Sequence, residues 1–172
     1  MFAASSQAAD PAVEGPKVIA EAFGRLSGAL AESIAKNGAA GSLSVCSEKA
    51  PQIAKEVAQV HGVTLRRATE KPRNSKNAAD ELEKSMLNAF AASLAQNDAP
   101  KPKVLTESDG RRAFFAPIVL GNPLCLQCHG KLGEDIKPET HEAILKLYPE
   151  DKATGFKIGD LRGLWRVTFP AE

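Results

Sequence analysis

The amino-acid sequence predicts an α+β fold with an antiparallel sheet and long N-terminal helices. Three observations support this prediction. Apolar residues recur at helical spacing through about the first sixty residues. Segments at 63–69, 103–120 and 163–169 have the alternation or the turn signals of β-strands. The order of two helices, a strand, a helix, a hairpin, a short helix and a last strand is typical of the α+β class.

Length and composition indicate one domain without a strong charge bias. The chain has 172 residues, with 22 Lys and Arg against 21 Asp and Glu, so its formal net charge is +1. This balance gives no reason to expect binding to nucleic acid or to an anionic membrane. No apolar run is long enough for a membrane span, and three cysteines are too few for a disulfide scaffold. We expect a loosely ordered start over residues 1–15 and one domain over residues 16–172.

The first helix is predicted over residues 16–37, with Pro16 in its first turn and Asn37-Gly38 as its stop signal. Its apolar face consists of Ile19, Phe23, Leu26, Leu30 and Ile34. The same period continues from Leu43 to Val60, but Pro51 interrupts it. Either one helix kinks there, or a short helix ends near Cys46 and another begins around Glu48.

The rest of the chain supplies the predicted strands and two more helices. VTLRRAT at 63–69 alternates, and a helix over 79–96 has an apolar residue at every fourth position. KVLTE and RRAFFAPIVL form a predicted hairpin that turns at Asp109-Gly110. A short helix over 140–148 ends at Pro149. In the last strand, at 163–169, Trp165 and its alternate neighbours point to one face of the sheet.

The stretch Cys125-Leu-Gln-Cys128-His129 has the spacing of a c-type haem attachment site. Both thiols lie on one helical turn and can reach the same porphyrin edge, and His129 would be the proximal iron ligand. The alternatives are a surface pair of cysteines with a chance histidine, a redox-active CxxC and half of a zinc site. Zinc would need further ligands, and no remaining cysteine or histidine is paired at ligand spacing. We therefore expect one covalently attached haem c.

Covalent haem attachment also predicts where the protein is located. The attachment machinery works outside the cytoplasmic membrane, so we expect a periplasmic or otherwise exported protein. The start MFAASSQAADP contains small residues of the kind found near signal cleavage sites, without a charged start or an apolar segment. We interpret the sequence as a mature or trimmed form whose export signal has been removed.

The residues alone leave the second axial ligand open. Met86 lies on an apolar helix stripe and suits the core. His61 precedes a helix-ending glycine, where a histidine interacts favourably with the helix C-terminus, and His141 suits an exposed first turn. Cys46 is equally compatible with iron ligation and with the role of a small buried hydrophobe. An iron without a second protein ligand is the remaining alternative.

Three stretches resemble a family of exported PAS-like c-type haem domains. They are SVCSEKAPQIA, LRRATEKPRNSKNAADELE, and PIVLGNPLCLQCHG with the later strand GDLRGLWRVTF. The resemblance covers most of the chain, from the first helix to the last strand, although Ser75 and Ala79 stand where the family usually has proline. It implies a PAS-like antiparallel sheet. Since cysteine and histidine ligate the iron in this family, it also implies that Cys46 and His129 are the ligands here.

A basic, amide-rich group surrounds the loop after the first predicted strand. It consists of Arg66, Arg67, Arg73, Asn74 and Asn77. The group is either a solvated strand end or a contact surface for the haem propionates, because guanidinium groups suit planar carboxylates. We expect Arg67 and Arg73 to contact haem. Arg66 and Arg67 alternate along the strand, so only one of them should face it.

These features predict a haem protein rather than an enzyme. Thiolate ligation lowers the reduction potential and favours ferric iron, which suits a redox or small-ligand sensor that binds a diatomic gas when reduced. The alternative is a low-potential electron-transfer cytochrome, and either would need a redox or signalling partner. A haem enzyme would need an open iron position and a distal base. Leu43, Val45 and the alanine-rich helices would suit a homodimer surface or, equally, an ordinary core.

Overall fold

The computed structural model describes residues 9–171, which form an α+β fold. The helices are α1 (Pro11–Gly41), α2 (Ala50–His61), α3 (Glu81–Ala95), α4 (Leu126–His129) and α5 (Pro138–Leu147). The strands are β1 (Thr64–Ala68), β2 (Lys103–Thr106), β3 (Arg112–Val119) and β4 (Leu161–Phe169). No helix within this range is long and apolar enough to cross a membrane.

All four strands belong to one sheet in the order β1-β4-β3-β2. Every neighbouring pair is antiparallel, as the sequence predicts. The predicted hairpin is confirmed, with Thr106 opposite Arg112 and Gly110 at a φ of 83° in the turn. Trp165 marks the centre of the sheet, because it pairs with Arg67 on one side and with Ala116 on the other.

Each face of the sheet is covered by a different set of helices. On one face α1 and α2 pack against Trp165 and its alternate neighbours. On the other face α3 packs Met86 and Phe90 against Phe115 and Leu164, so Met86 is a core residue. Leu43 and Val45 are also buried within the chain, which is the core alternative for these two positions.

The first helix begins earlier than predicted. The side chain of Asp10 accepts a hydrogen bond from Ala12 N–H (2.9 Å), and Pro11 occupies the first turn, so Pro16 lies inside the helix. Gly15 packs so closely on the sheet that a Cβ there would lie 2.5 Å from the Phe114 ring. The prediction of a loosely ordered start is therefore wrong for residues 11–15, because capping and packing hold them. Residues 1–8 of that predicted start lie outside the described residues.

The junction between the first two helices is a widened turn. Gly38 has a φ of 68° and a ψ of 178°, so the helix is kinked at the predicted stop signal, and a further helical turn follows up to Gly41. Val45–Lys49 then form a π-helical turn, in which Ala50 N–H donates to Val45 O, and Pro51 lies in the first turn of α2. A proline has no N–H to donate and its ring crowds the preceding turn, so the wider turn accommodates it. This arrangement replaces the simple kink or break that the sequence predicts.

Candidate functional site

The CxxCH motif lies in a short helical segment between β3 and α5. Asn122 begins this segment by accepting a hydrogen bond from Leu124 N–H (2.9 Å), and α4 completes it. Cys125 packs against the apolar cluster of Leu120, Ala153 and Phe156. Cys128 packs against a second cluster, formed by Leu43, Ile136 and Ile144. Both thiols are free and half-buried, and they are therefore held at the edge of apolar surfaces.

His129 is held in one tautomer by the backbone of a later segment. Its Nδ1 lies 2.8 Å from Ala153 O, and because a carbonyl only accepts, Nδ1 carries the proton and Nε2 keeps its lone pair. Burial, followed by the charges of Arg162 and Arg73, lowers the pKa of His129 well below its ordinary value. The imidazole is therefore neutral at pH 7, the form that binds a metal.

The π-helical turn brings Cys46 to the same site. The thiol is half-buried, and its electrostatic neighbours are Arg67, Arg73 and Arg162. Burial raises the pKa of Cys46, while the three guanidinium groups oppose that rise. Cys46 also interacts electrostatically with Cys128, whose pKa burial raises to about 11. Two distant parts of the sequence thus bring a third thiol within electrostatic range of Cys128 in the CxxCH motif.

Three arginines surround these thiols and His129. Arg67 lies over the Trp165 ring, 5.5 Å from its centroid, and Arg162 lies 5.3 Å from the Phe156 centroid. Arg73 is paired with the Asp151 carboxylate, with 3.0 Å between Nε and Oδ1. Burial and the neighbouring Arg73 and Arg67 lower the pKa of Arg162 to about 10, so it is still charged at pH 7. The site therefore holds more positive charge than Asp151 balances.

The remaining candidates for the second ligand lie in other settings. His61 Nε2 is 2.8 Å from Glu21 Oε2, and this contact ties α2 to α1. His61 is the last residue of α2, the position at which a histidine is predicted to interact with the helix C-terminus. Met86 is in the core under α3, and His141 is a half-buried residue near the start of α5. Within residues 9–171 no three His, Cys, Asp or Glu side chains are grouped so that they could hold a metal ion between them.

The two arginines of β1 in the basic, amide-rich group point to opposite faces of the sheet. Arg66 points to α3 and pairs with Glu83 (3.2 Å), whereas Arg67 lies near Cys46, so the predicted alternation is confirmed. Asn74 accepts a hydrogen bond from Lys76 N–H (3.0 Å), and Asn77 O accepts one from Thr69 N–H (3.0 Å). The side chain of Asn74 and the backbone of Asn77 therefore shape the loop.

The sequence predictions miss Arg162, which a β-bulge directs to the site. Ile118 pairs with Gly163 and Val119 pairs with Leu161, so Arg162 is the extra residue between them. Its guanidinium donates to Thr69 Oγ1 (3.1 Å) and to Lys71 O (3.3 Å). A glycine inside a strand is a signal for a bulge, and Gly163 therefore offered a hint. Tyr148, Asp151 and Ala153 carry no such local signal, and their positions are known only from the fold.

The donor set around the site fits an anionic group. Arg73 Nη1 and Arg162 Nε are buried and have no hydrogen-bond partner among the described residues. A cavity of about 720 Å³ lies beside Arg73, and its lining also includes Asn74 and Tyr148. The two propionates of a haem would supply the acceptors and the negative charge that these guanidinium groups lack.

Comparison with known proteins identifies the family of this chain. The Tll0287-like family matches residues 5–170. The chain belongs to this family. The crystal structure of a member, the cyanobacterial heme-protein Tll0287, is similar with a TM-score of 0.71 and 27% sequence identity. The match covers 94% of this chain and 97% of the Tll0287 chain. No curated protein matches the sequence. The resemblance to a family of haem domains is thereby confirmed. The residues matched by the family include all of the candidate site residues.

Proposed function

We propose that this chain is a PAS-like c-type haem protein that senses redox state or a small diatomic ligand, without catalytic activity. One haem would be attached through Cys125 and Cys128, with His129 and Cys46 as the iron ligands. The observation that carries the proposal is the convergence of Cys46 and a neutral His129 on one arginine-rich site. The similarity to a heme-protein over nearly the full length of both chains supports it.

The bound iron would supply a reversible one-electron change. His129 would bind through Nε2, because its Nδ1 proton is held by Ala153 O. Cys46 would bind as a thiolate, and three nearby guanidinium groups offset the cost of burying that negative charge. An anionic ligand favours the oxidised state, so we expect a low reduction potential. With Cys46 and His129 both bound, no position is open, which is unsuitable for a peroxidase.

Reduction is the expected trigger. It weakens the hold on an anionic sulfur, so Cys46 would take up a proton and dissociate as a poorly coordinating thiol. The freed position could then accept carbon monoxide or nitric oxide. Since covalent attachment takes place outside the cytoplasmic membrane, the proposal includes an exported protein with a separate signalling or redox partner.

Cys46→Ala tests the ligand assignment. We expect the variant to keep its covalent haem, to lose the low-spin thiolate type of ferric spectrum and to have a higher reduction potential. His61→Ala is the control, because His61 is tied to Glu21 rather than to the site. A Cys46→Ala spectrum identical to wild type rejects the thiolate ligand.

Gas binding separates the two functions that follow from this site. A sensor should bind carbon monoxide when reduced and scarcely react when oxidised. A reduced protein whose iron stays six-coordinate and binds neither carbon monoxide nor nitric oxide would instead be a low-potential electron carrier.

A further inference from the structure

Arg73 joins the loop after β1 to the segment that holds His129. Its Nε and Nη2 donate to the two carboxylate oxygens of Asp151 (3.0 and 3.2 Å). Nη2 also donates to Cys128 O (2.5 Å) and to Ala153 O (3.3 Å). One side chain therefore contacts the CxxCH motif and the later strap, which we define as residues 151–156.

The strap itself grips the backbone of the motif. Phe156 N–H donates to His129 O (2.9 Å), and Gly155 N–H donates to Gly130 O (2.7 Å). Asp151 Oδ1 accepts a hydrogen bond from Ala153 N–H (3.1 Å). Because Asp151 holds the N–H of Ala153 and Arg73 contacts its carbonyl oxygen, the acceptor of the His129 Nδ1 proton is fixed from both sides.

The ion pair of Arg73 and Asp151 is buried, so a substitution of either residue should disturb it strongly. The side chains of Arg73 and Asp151 are only 7% and 1% exposed. A planar guanidinium can hold both carboxylate oxygens and still reach two carbonyls, whereas a lysine ammonium offers one point of charge without the fork. Loss of either partner would leave the other buried without its counter-ion.

We propose that Arg73 and Asp151 together position the histidine ligand. Through the carbonyl group of Ala153, this pair fixes the tautomer of His129 and the orientation of its imidazole ring. This inference rests on the proposed function, because it assumes that His129 binds the iron. It assigns Arg73 a role different from the propionate contact that the sequence predicts. Only Nη1 of Arg73 has no protein partner among the described residues and is left for that contact.

The test is the exchange rate of the His129 Nδ1 proton with solvent, measured by proton NMR on the oxidised, haem-loaded chain. Arg73→Lys keeps the charge and removes the fork, and Asp151→Ala removes the carboxylate. We expect exchange to be about tenfold faster in both variants, the effect of losing one charge-assisted hydrogen bond that holds the local structure closed. If Asp151→Ala does not take up haem, the result for Arg73→Lys alone decides.

Arg166→Lys is the matched control, because Arg166 is a largely buried arginine that pairs with Glu107 and Asp80 on the opposite face of the sheet. Its His129 exchange rate should stay within about twofold of wild type, the scatter expected for changes away from a site. Amide exchange in β3 and β4 should be unchanged in Arg73→Lys, which excludes general loosening. A wild-type exchange rate in Arg73→Lys overturns the positioning role. A wild-type protein without a hyperfine-shifted His129 signal would instead contradict the proposed ligation.

Discussion

Gly163 sets the distance between β1 and β4 beside the site. A Cβ at this position would lie 2.5 Å from Ala68 O, closer than Cβ atoms approach in folded proteins, and 3.2 Å from Thr69 Cβ, which is a tight contact. The adjacent residue is Arg162, which the bulge directs toward Thr69 and Phe156. The missing side chain therefore permits both the strand pairing and the bulge that delivers a guanidinium to the site.

Gly163→Ala should destabilise the protein by about 1–3 kcal/mol, because the clash involves backbone that cannot move aside easily. Gly121→Ala is the control, since an added Cβ there meets nothing within 4 Å, and it should change stability by less than about 0.5 kcal/mol. The free energies of unfolding can be compared by chemical denaturation. Equal values for the two variants would show that β1 and β4 are free to separate.

At the level of single residues, the sequence shows which side chains could bind a haem, but it does not show which residues those side chains contact in the fold. The CxxCH motif is recognised from five neighbouring positions, and the alternation of Arg66 and Arg67 follows from strand geometry. The pairing of Arg73 with Asp151 joins residues 78 apart, and no local pattern encodes such a contact. Arg162 escapes prediction because a bulge reverses the alternation on which the reading of a strand depends.

At the level of elements, α3 is anchored to the sheet by a buried acid. Glu83 is fully buried, with Arg66 Nε at 3.2 Å and Arg166 Nη1 at 3.4 Å. It also completes a capping box with Asp80, because Asp80 N–H donates to Glu83 Oε2 (3.0 Å) and Glu83 N–H donates to Asp80 Oδ1 (2.8 Å). One carboxylate thus starts the helix and fixes it on the arginines of β1 and β4.

Glu83→Gln should cost about 2–3 kcal/mol of stability, because it leaves the largely buried Arg166 and the partly exposed Arg66 without part of their counter-charge. Glu81→Gln is the control within the same helical turn. The Glu81 side chain is 91% exposed and pairs only with Lys84 among the described residues, so its loss should cost less than about 0.5 kcal/mol. Thermal melts of the two variants compare these effects. A cost for Glu83→Gln as small as for Glu81→Gln would show that Arg166 is satisfied by Glu107 and Asp80, and Arg66 by the carbonyl oxygen of Ala78.

The periodic elements are also the predictable ones. The helix over 81–95 and the hairpin agree with their sequence patterns, because local spacing decides both. The π-helical turn at Cys46 was not predicted, since periodicity alone does not distinguish a widened turn from a kink. The early start of α1 depends on Asp10 and on the contact of Gly15 with Phe114, and the latter is a tertiary contact.

At the scale of the molecule, the thiols and His129 of the site come from segments outside the sheet, while β1 and β4 contribute Arg67 and Arg162. The sheet carries two apolar clusters, one on each face, and forms the packed centre of the fold. The site is assembled from the turn at 45–49, the loop after β1, the CxxCH segment and the strap. The turn that carries Cys46 has widened, π-type helical hydrogen bonding, and Pro51 follows it closely. A change at the iron should therefore move this turn before it moves the sheet.

Hydrogen exchange in the two oxidation states tests that mechanism. If Cys46 leaves the iron on reduction, amides in residues 42–50 should exchange faster, by about tenfold for the loss of one anchoring interaction, while amides of β3 and β4 stay the same. The direction follows from charge, because reduction removes positive charge from the iron and so weakens its hold on an anionic sulfur. Cys46→Ala, which lacks the anchor in both states, should show fast exchange throughout and no redox difference. Equal exchange in the oxidised and reduced wild type would mean that the thiolate stays bound, and the protein would then be an electron carrier without a moving part.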